Sequence, residues 1–167
     1  MQRDFNLIVD TREKKPLLFP ANLRVLNPDT KKANLIRLHT KKEKLDTGDY
    51  LLKGFEESTM IERKGSLREV ASNCLSGDRA RFENCLIRMT EACKDPVLLL
   101  EGTPLELSRK SKEVPEPGAA IDALMRLLST YSIGLLLLPT ASSSQRRATG
   151  EWAARLLING AIHGNPQ

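Results

Sequence analysis

The segment Leu45–Lys64, LDTGDYLLKGFEESTMIERK, holds two short apolar stretches, Tyr50 to Leu52 and Met60 to Ile61. Between them, Gly54 and the polar run Glu56-Glu57-Ser58 break the pattern, so the economical reading is a β-hairpin. In such a hairpin Asp49 and Glu62, thirteen residues apart, lie side by side on neighbouring strands. Side chains alternate along a strand, which puts Glu62 and Lys64 on one face and Arg63 on the other. Two carboxylates and a lysine gathered this way are the minimum set for holding a divalent cation and polarising a phosphodiester. The competing reading is an exposed, charged strand end of the kind that protects sheet edges.

The pattern on either side of the hairpin predicts strands and helices in turn. Phe5 to Val9 is a short apolar run ending in Asp10, as expected of a buried strand that delivers an acid at its carboxyl end. Residues 16–34 contain Pro16, Pro20 and Pro28 with little periodicity and read as an irregular excursion, followed by a strand at Leu35 to Leu38. Beyond Lys64 the period changes: Leu67, Val70, Ala71, Cys74 and Leu75 predict a helix over 66–75. After Gly77-Asp78, the residues Phe82, Cys85, Leu86 and Met89 predict a second helix. Val97 to Leu100 reads as a buried strand, followed by a polar, basic loop with Pro104, Pro115 and Pro117. A helix over 119–131, a strand over 133–138 and a serine-capped final helix bearing Trp152, Leu156 and Leu157 complete the chain. The order predicts an α/β fold with a mixed central sheet flanked by helices, in one domain over 1–167.

Composition bounds the partners. The chain has 167 residues, 40% of them hydrophobic and 28% charged, and needs no second domain. Its net charge of +5 favours a polyanionic partner, although many basic proteins bind none. The clusters Lys31-Lys32, Lys41-Lys42-Lys44 and Arg109-Lys110-Lys112 read as solvated faces or phosphate contacts. Cys74, Cys85 and Cys93 have no paired spacing and are expected to be buried, reduced thiols rather than zinc ligands. His39 and His163 have no ligand partner at helical spacing and read as surface residues. The N-terminal stretch lacks a signal-peptide core, and Ile133 to Pro139 is too short to span a bilayer. A cytoplasmic location is expected for a bacterial or phage-encoded chain, and a nuclear one for a eukaryotic chain.

Four blocks taken in order, IVDTREKKPLLF at 8–19, LDTGDYLL at 45–52, IERKGSLREV at 61–70 and GDRARFENCLIRM at 77–89, resemble the XPF-type nuclease family. The likeness continues through DPVLLLEG at 95–102 and IGLLLLPT at 133–140 and spans roughly residues 5 to 160. It is strongest toward the small, single-domain bacterial and phage relatives. The resemblance implies a restriction-endonuclease-like fold and a metal-dependent DNA endonuclease acting on branched or otherwise structured DNA, in repair, recombination or phage DNA metabolism. It implies metal-site acids at Asp10, Asp49 and Glu62, a catalytic lysine at Lys64, and Arg63 as the middle residue of E-R-K. Arg12 and Glu13 match the D-x-R-E block, and Arg79 or Arg81 the arginine of the following helix.

The position of the family's last acid holds Arg68 here, with Glu69 beside it; Glu69 either takes that role or caps the helix, and Glu13 is a further candidate acid. The expected cofactor is Mg²⁺, with Mn²⁺ able to substitute. The expected partners are DNA, contacted by Arg12, Arg79, Arg81, Arg109, Lys110 and Lys112, a second copy of the chain, and a helicase or DNA-binding protein. A C₂ homodimer is expected from the apolar side chains over 119–131 and around Trp152. Nothing after Ile162 is long enough to encode the family's helix-hairpin-helix module. An inactive DNA-binding or scaffold subunit is the alternative from another class, and a toxin-like or restriction-type nuclease the alternative substrate preference.

Overall fold

The computed structural model of the chain describes residues 2–27 and 30–163. The hairpin forms as expected: β4 (Tyr50–Leu52) pairs antiparallel with β5 (Thr59–Lys64), Tyr50 opposite Ile61 and Leu51 opposite Met60. Three strands precede it, β1 (Gln2–Asp10), β2 (Asn22–Leu26) and β3 (Ala33–Glu43). After it come α1 (Leu67–Leu75), α2 (Arg79–Ala92), β6 (Asp95–Glu101), α3 (Pro104–Leu107), α4 (Pro117–Tyr131), β7 (Gly134–Leu138) and α5 (Ser143–His163). The strands make one mixed sheet in the order β2-β3-β1-β4-β5-β6-β7. β1 is parallel to β3, and β5, β6 and β7 are parallel to one another, while the pairings of β2 and β4 are antiparallel.

Period-two alternation divides the core into two layers. Met60, Leu98, Leu100 and Ile8 face α1, α2 and α4, packing on Val70, Leu86, Met89 and Leu124. Their neighbours Ile61, Leu99, Leu7 and Val9 face α5 through Ala153, Ala154, Leu157 and Ile158. The small residues on α5 permit close approach. A Cβ on Gly150 would stand 2.3 Å from the Leu18 carbonyl oxygen, so that position excludes any side chain without movement of the backbone. Ser142 caps α5 as expected, its Oγ accepting from the Gln145 amide at 3.2 Å while its own amide donates to Gln145 Oε1 at 3.0 Å.

Three readings of the sequence are corrected. The stretch 16–34 is not irregular throughout: it contains β2, an edge strand antiparallel to β3, and the start of β3 at Ala33. Only Leu23 and Val25 point inward from β2, too few to announce a strand beside three prolines. β3 runs to Glu43, well past Leu38, because its exposed polar half is held by backbone pairing with β1 up to Asp10 opposite Glu43. The loop after β6 opens with the short helix α3, whose Thr103–Glu106 capping box satisfies its first amides. Cys74 and Cys93 are buried free thiols, whereas Cys85 is only half-buried. No helix among the described residues is long and apolar enough to cross a membrane.

Candidate active site

Asp49 is positioned by backbone on both sides. Gly48 before it takes φ +73°, and a Cβ there would lie 2.5 Å from Met60 Cγ, so the approach to β4 demands glycine. The Asp49 amide donates to the Ile61 carbonyl at 2.8 Å, the Asp49 carbonyl accepts from Asp10 at 2.9 Å, and the Arg63 amide donates to Asp49 Oδ2 at 2.7 Å. One β5 residue thus holds the carboxylate while its neighbours supply the opposing side chains. Glu62 and Lys64, two apart, share the α1–α2 face with Met60. Lys64 Nζ donates to Glu62 Oε1 at 2.9 Å, lies 3.4 Å from Glu69 Oε1 and stands 4.9 Å from the Phe82 ring centroid.

These groups line a polar cleft of about 390 Å³. It is walled by Arg81, Phe82, Cys85 and Arg88 on α2 and by Asn73 on α1. Arg12, Asp46, Glu69 and Asp78 also border it. Burial is the main force on Asp49: together with the Glu62 charge it raises the carboxyl to about 7, against the pull of the Arg63 amide. Burial pulls Lys64 down, but the charge and hydrogen bond of Glu62 outweigh it and leave the ammonium above its ordinary pKa. Lys64 is therefore a fixed cation at neutral pH, suited to stabilising negative charge and unsuited to accepting a proton.

The other expected site residues go to three places. Asp10 is fully buried and lines no part of the cleft. Its carboxylate accepts from Arg12 Nε at 2.9 Å and Nη2 at 2.8 Å, from the Arg12 amide at 2.6 Å and from the Leu45 amide at 2.9 Å. The Arg12 side-chain bond above all holds Asp10 down at about 2. Arg63 points to the opposite face, bridging Glu13, at 2.9 Å from both its oxygens, and Glu101. Tyr50 Oη donates to Glu13 at 3.3 Å and Thr140 Oγ1 to Glu101, closing a buried network behind the sheet. Arg79 pairs with Glu83 at 4.0 Å away from the cleft, while Arg109 and Lys110 border a second groove that Lys112 does not line.

Glu69 serves both of its expected uses. Its Oε2 accepts from the Gly65 amide at 3.0 Å while Ser66 Oγ accepts from the Glu69 amide at 3.2 Å, and its other oxygen faces Lys64. Arg88 and Asn73 were not singled out in the sequence. Arg88 follows Arg81 by seven residues, two helical turns, and that spacing is the signal that identifies it. Asn73 Oδ1 is buried without a hydrogen-bond partner, a feature visible only once α1 is placed.

The ERCC4 domain profile matches residues 9–156 of the chain. The chain belongs to the ERCC4 domain family. Members of that family are nucleases acting on DNA, and its fold is the restriction-endonuclease-like arrangement seen here as a mixed sheet between helices. Among solved structures the chain is similar to XPF from Aeropyrum pernix, with a TM-score of 0.55 and 17% identity over 92% of this chain and 67% of that one. It is also similar to XPF from Aeropyrum pernix in complex with DNA, with a TM-score of 0.59 and 19% identity over 92% of this chain and 64% of that one. The chain thus spans about two thirds of the length of those proteins. No curated protein sequence matches it.

A divalent cation implied by the family is tested against the donors present. Among the described residues no group of three or more His, Cys, Asp or Glu side chains is placed to hold a metal ion. Asp49 and Glu62 are nevertheless hard oxygen donors in one polar cleft, which fits Mg²⁺, an ion that takes one or two carboxylates and completes its shell with water and phosphate.

Asp49 carries a stability prediction. Its folded pKa, near 7, lies above the ordinary 3.8, so the folded chain keeps a proton that the unfolded chain has released between these values. Stability therefore falls as pH rises through that window, and the full penalty is present above pH 7. Asp49→Asn keeps an acceptor for the Arg63 amide and removes the charge. It should raise stability at pH 8 by about 1–2 kcal/mol after allowance for solvent screening, roughly 2–8 °C in Tm, with no gain at pH 3.5. A Tm at pH 8 equal to or below that of the unsubstituted chain contradicts this.

Proposed function

We propose that this chain is a metal-dependent endonuclease that hydrolyses phosphodiester bonds in branched or otherwise structured DNA. The observation that carries the reading is the meeting of Asp49, Glu62 and the Lys64 ammonium in one polar cleft whose α2 wall carries Arg81 and Arg88. When bound, Mg²⁺ or Mn²⁺ supplies Lewis-acid polarisation of the phosphate and a more acidic water. Asp49 and Glu62 are the residues that would hold it. Lys64, fixed by Glu62, faces the charge that accumulates on the phosphoryl oxygens as water attacks phosphorus. Arg81 and Arg88 position the backbone without reading sequence. Asp10 acts one step back: clamped by Arg12, its backbone amide fixes the Asp49 carbonyl.

Labelled flap, fork, duplex and single-stranded DNA incubated with Mg²⁺, Mn²⁺ or EDTA test this reading. Cutting of the flap or fork with either metal, absent with EDTA, is expected; no cutting of any substrate with either metal overturns it.

Glu69 takes part through Lys64. Glu69→Gln keeps an acceptor for the Gly65 amide but removes the charge 3.4 Å from the ammonium, and should lower turnover about tenfold, whereas Arg68→Gln should change it less than about twofold. Equal, small effects in a cleavage time course would leave Glu69 as a helix-start residue. We also infer a C₂ homodimer, supported by the exposed Trp152 on α5 and Met125 on α4. Light scattering that gives a monomer mass at micromolar concentration overturns that assembly.

A further inference from the structure

Next to the acid–lysine cleft lies a second, larger groove of about 1120 Å³, and Glu69 borders both. The turn Gly65-Ser66 at the start of α1 separates them. The floor of the groove is apolar, formed by Leu67, Leu107, Val114 and Pro139. Its rim carries Lys15, Arg68 and Arg109, all exposed, whose cationic groups make no hydrogen bond or ion pair among the described residues.

The acids nearby are mostly engaged elsewhere. Glu101 is held by Arg63, Glu106 by the α3 capping box, and Glu69 by Gly65 and Lys64, which leaves Glu113 as the acid without a partner. Lys110 is paired with Glu116 at 3.0 Å. The volume exceeds the upper range of about 1,000 Å³ for small-molecule pockets, which suits a length of polymer.

We propose that this groove holds single-stranded nucleic acid continuous with the strand in the cleft. The strand crosses Gly65-Ser66, sets its phosphates on Lys15, Arg68 and Arg109, and lays its bases on the apolar floor. A duplex turns its bases inward and offers this concave floor only phosphates, whereas an unpaired strand exposes base faces that bind apolar surface. The proposal rests on the nuclease reading and narrows its substrate to DNA with an unpaired arm beside the cut.

The test is fluorescence anisotropy in EDTA with labelled oligothymidylate and with blunt duplex of the same length, over a range of salt. The variant Lys15→Gln/Arg68→Gln/Arg109→Gln is compared with a charge-matched control, Lys41→Gln/Lys42→Gln/Lys44→Gln, outside the groove. The groove variant should bind oligothymidylate at least about tenfold more weakly, with a salt slope lower by roughly 0.7 per lost contact, about 2 in all. Its duplex affinity should move less than about threefold, and the control should bind both probes like the unsubstituted chain. Unchanged oligothymidylate binding, equal losses on both probes, or equal losses in the control overturn the proposal. So does binding of polyglutamate as tight as that of oligothymidylate. Metal-dependent flap cutting measured in parallel separates the two readings. Cutting with unaltered single-strand binding retains the nuclease and removes the groove, while strand-selective loss without any cutting does the reverse.

Discussion

Lys64→Met is expected to lower the turnover of bound DNA by roughly 10²–10³-fold while leaving DNA affinity within about threefold. The ammonium is nearly buried, fixed by Glu62 and flanked by Glu69, so its charge is aimed into the cleft rather than spread over the surface that meets DNA first. Methionine keeps much of the side-chain stem beside Phe82 and removes the charge. It also leaves Glu62 buried without its cation, so some loss of stability is expected. Adding Glu62→Gln should recover that stability and none of the turnover, which distinguishes a catalytic charge from a structural one. Single-turnover cleavage at saturating DNA and anisotropy at equilibrium read the two effects apart. A Lys64 variant that loses binding in proportion to its lost activity contradicts the role given to this lysine.

Arg63→Met should have the larger effect on stability. Arg63 is the shared partner of Glu13 and Glu101, both close to fully buried behind the sheet, and its removal strands two carboxylates at once. Breaking a buried pair by removing one partner costs about 3–5 kcal/mol, which for a chain of this size is a fall in Tm of roughly 6–20 °C. Turnover of the fraction still folded, measured well below that Tm, should stay within about tenfold, because the Arg63 amide that holds Asp49 is untouched. The triple variant Arg63→Met/Glu13→Gln/Glu101→Gln should regain part of the lost stability. An Arg63 variant with an unchanged Tm and abolished turnover would return the guanidinium to the chemistry.

The hairpin and its polarity were legible because period two is the strongest short-range signal a strand has. Gly48, Asp49, Glu62 and Lys64 all sit within one twenty-residue stretch, and alternation alone sends Arg63 to the far face. What Arg63 meets there was not legible. Glu101 is 38 residues away and arrives only through the parallel β5–β6 pairing, in which Arg63 stands opposite Leu99. Asp10 shows the same limit at short range. Its place at the end of a buried strand suggested a ligand, but the turn after it folds Arg12 back onto the carboxylate and consumes its acceptors. β2 was missed because an edge strand with two inward residues barely differs from a loop. The cationic groove combines the 13–15 turn, the start of α1 and the segment after α3, parts far apart in the chain that share no periodicity.

Soaking crystals of the chain in MnCl₂ and locating the ion by anomalous diffraction addresses the two-carboxylate site itself. One peak in the cleft, within bonding reach of both Asp49 and Glu62 and absent from Glu62→Gln crystals, is the result the account predicts. A peak on Asp10 or Glu13, or a cleft peak that persists unchanged in Glu62→Gln, would contradict it.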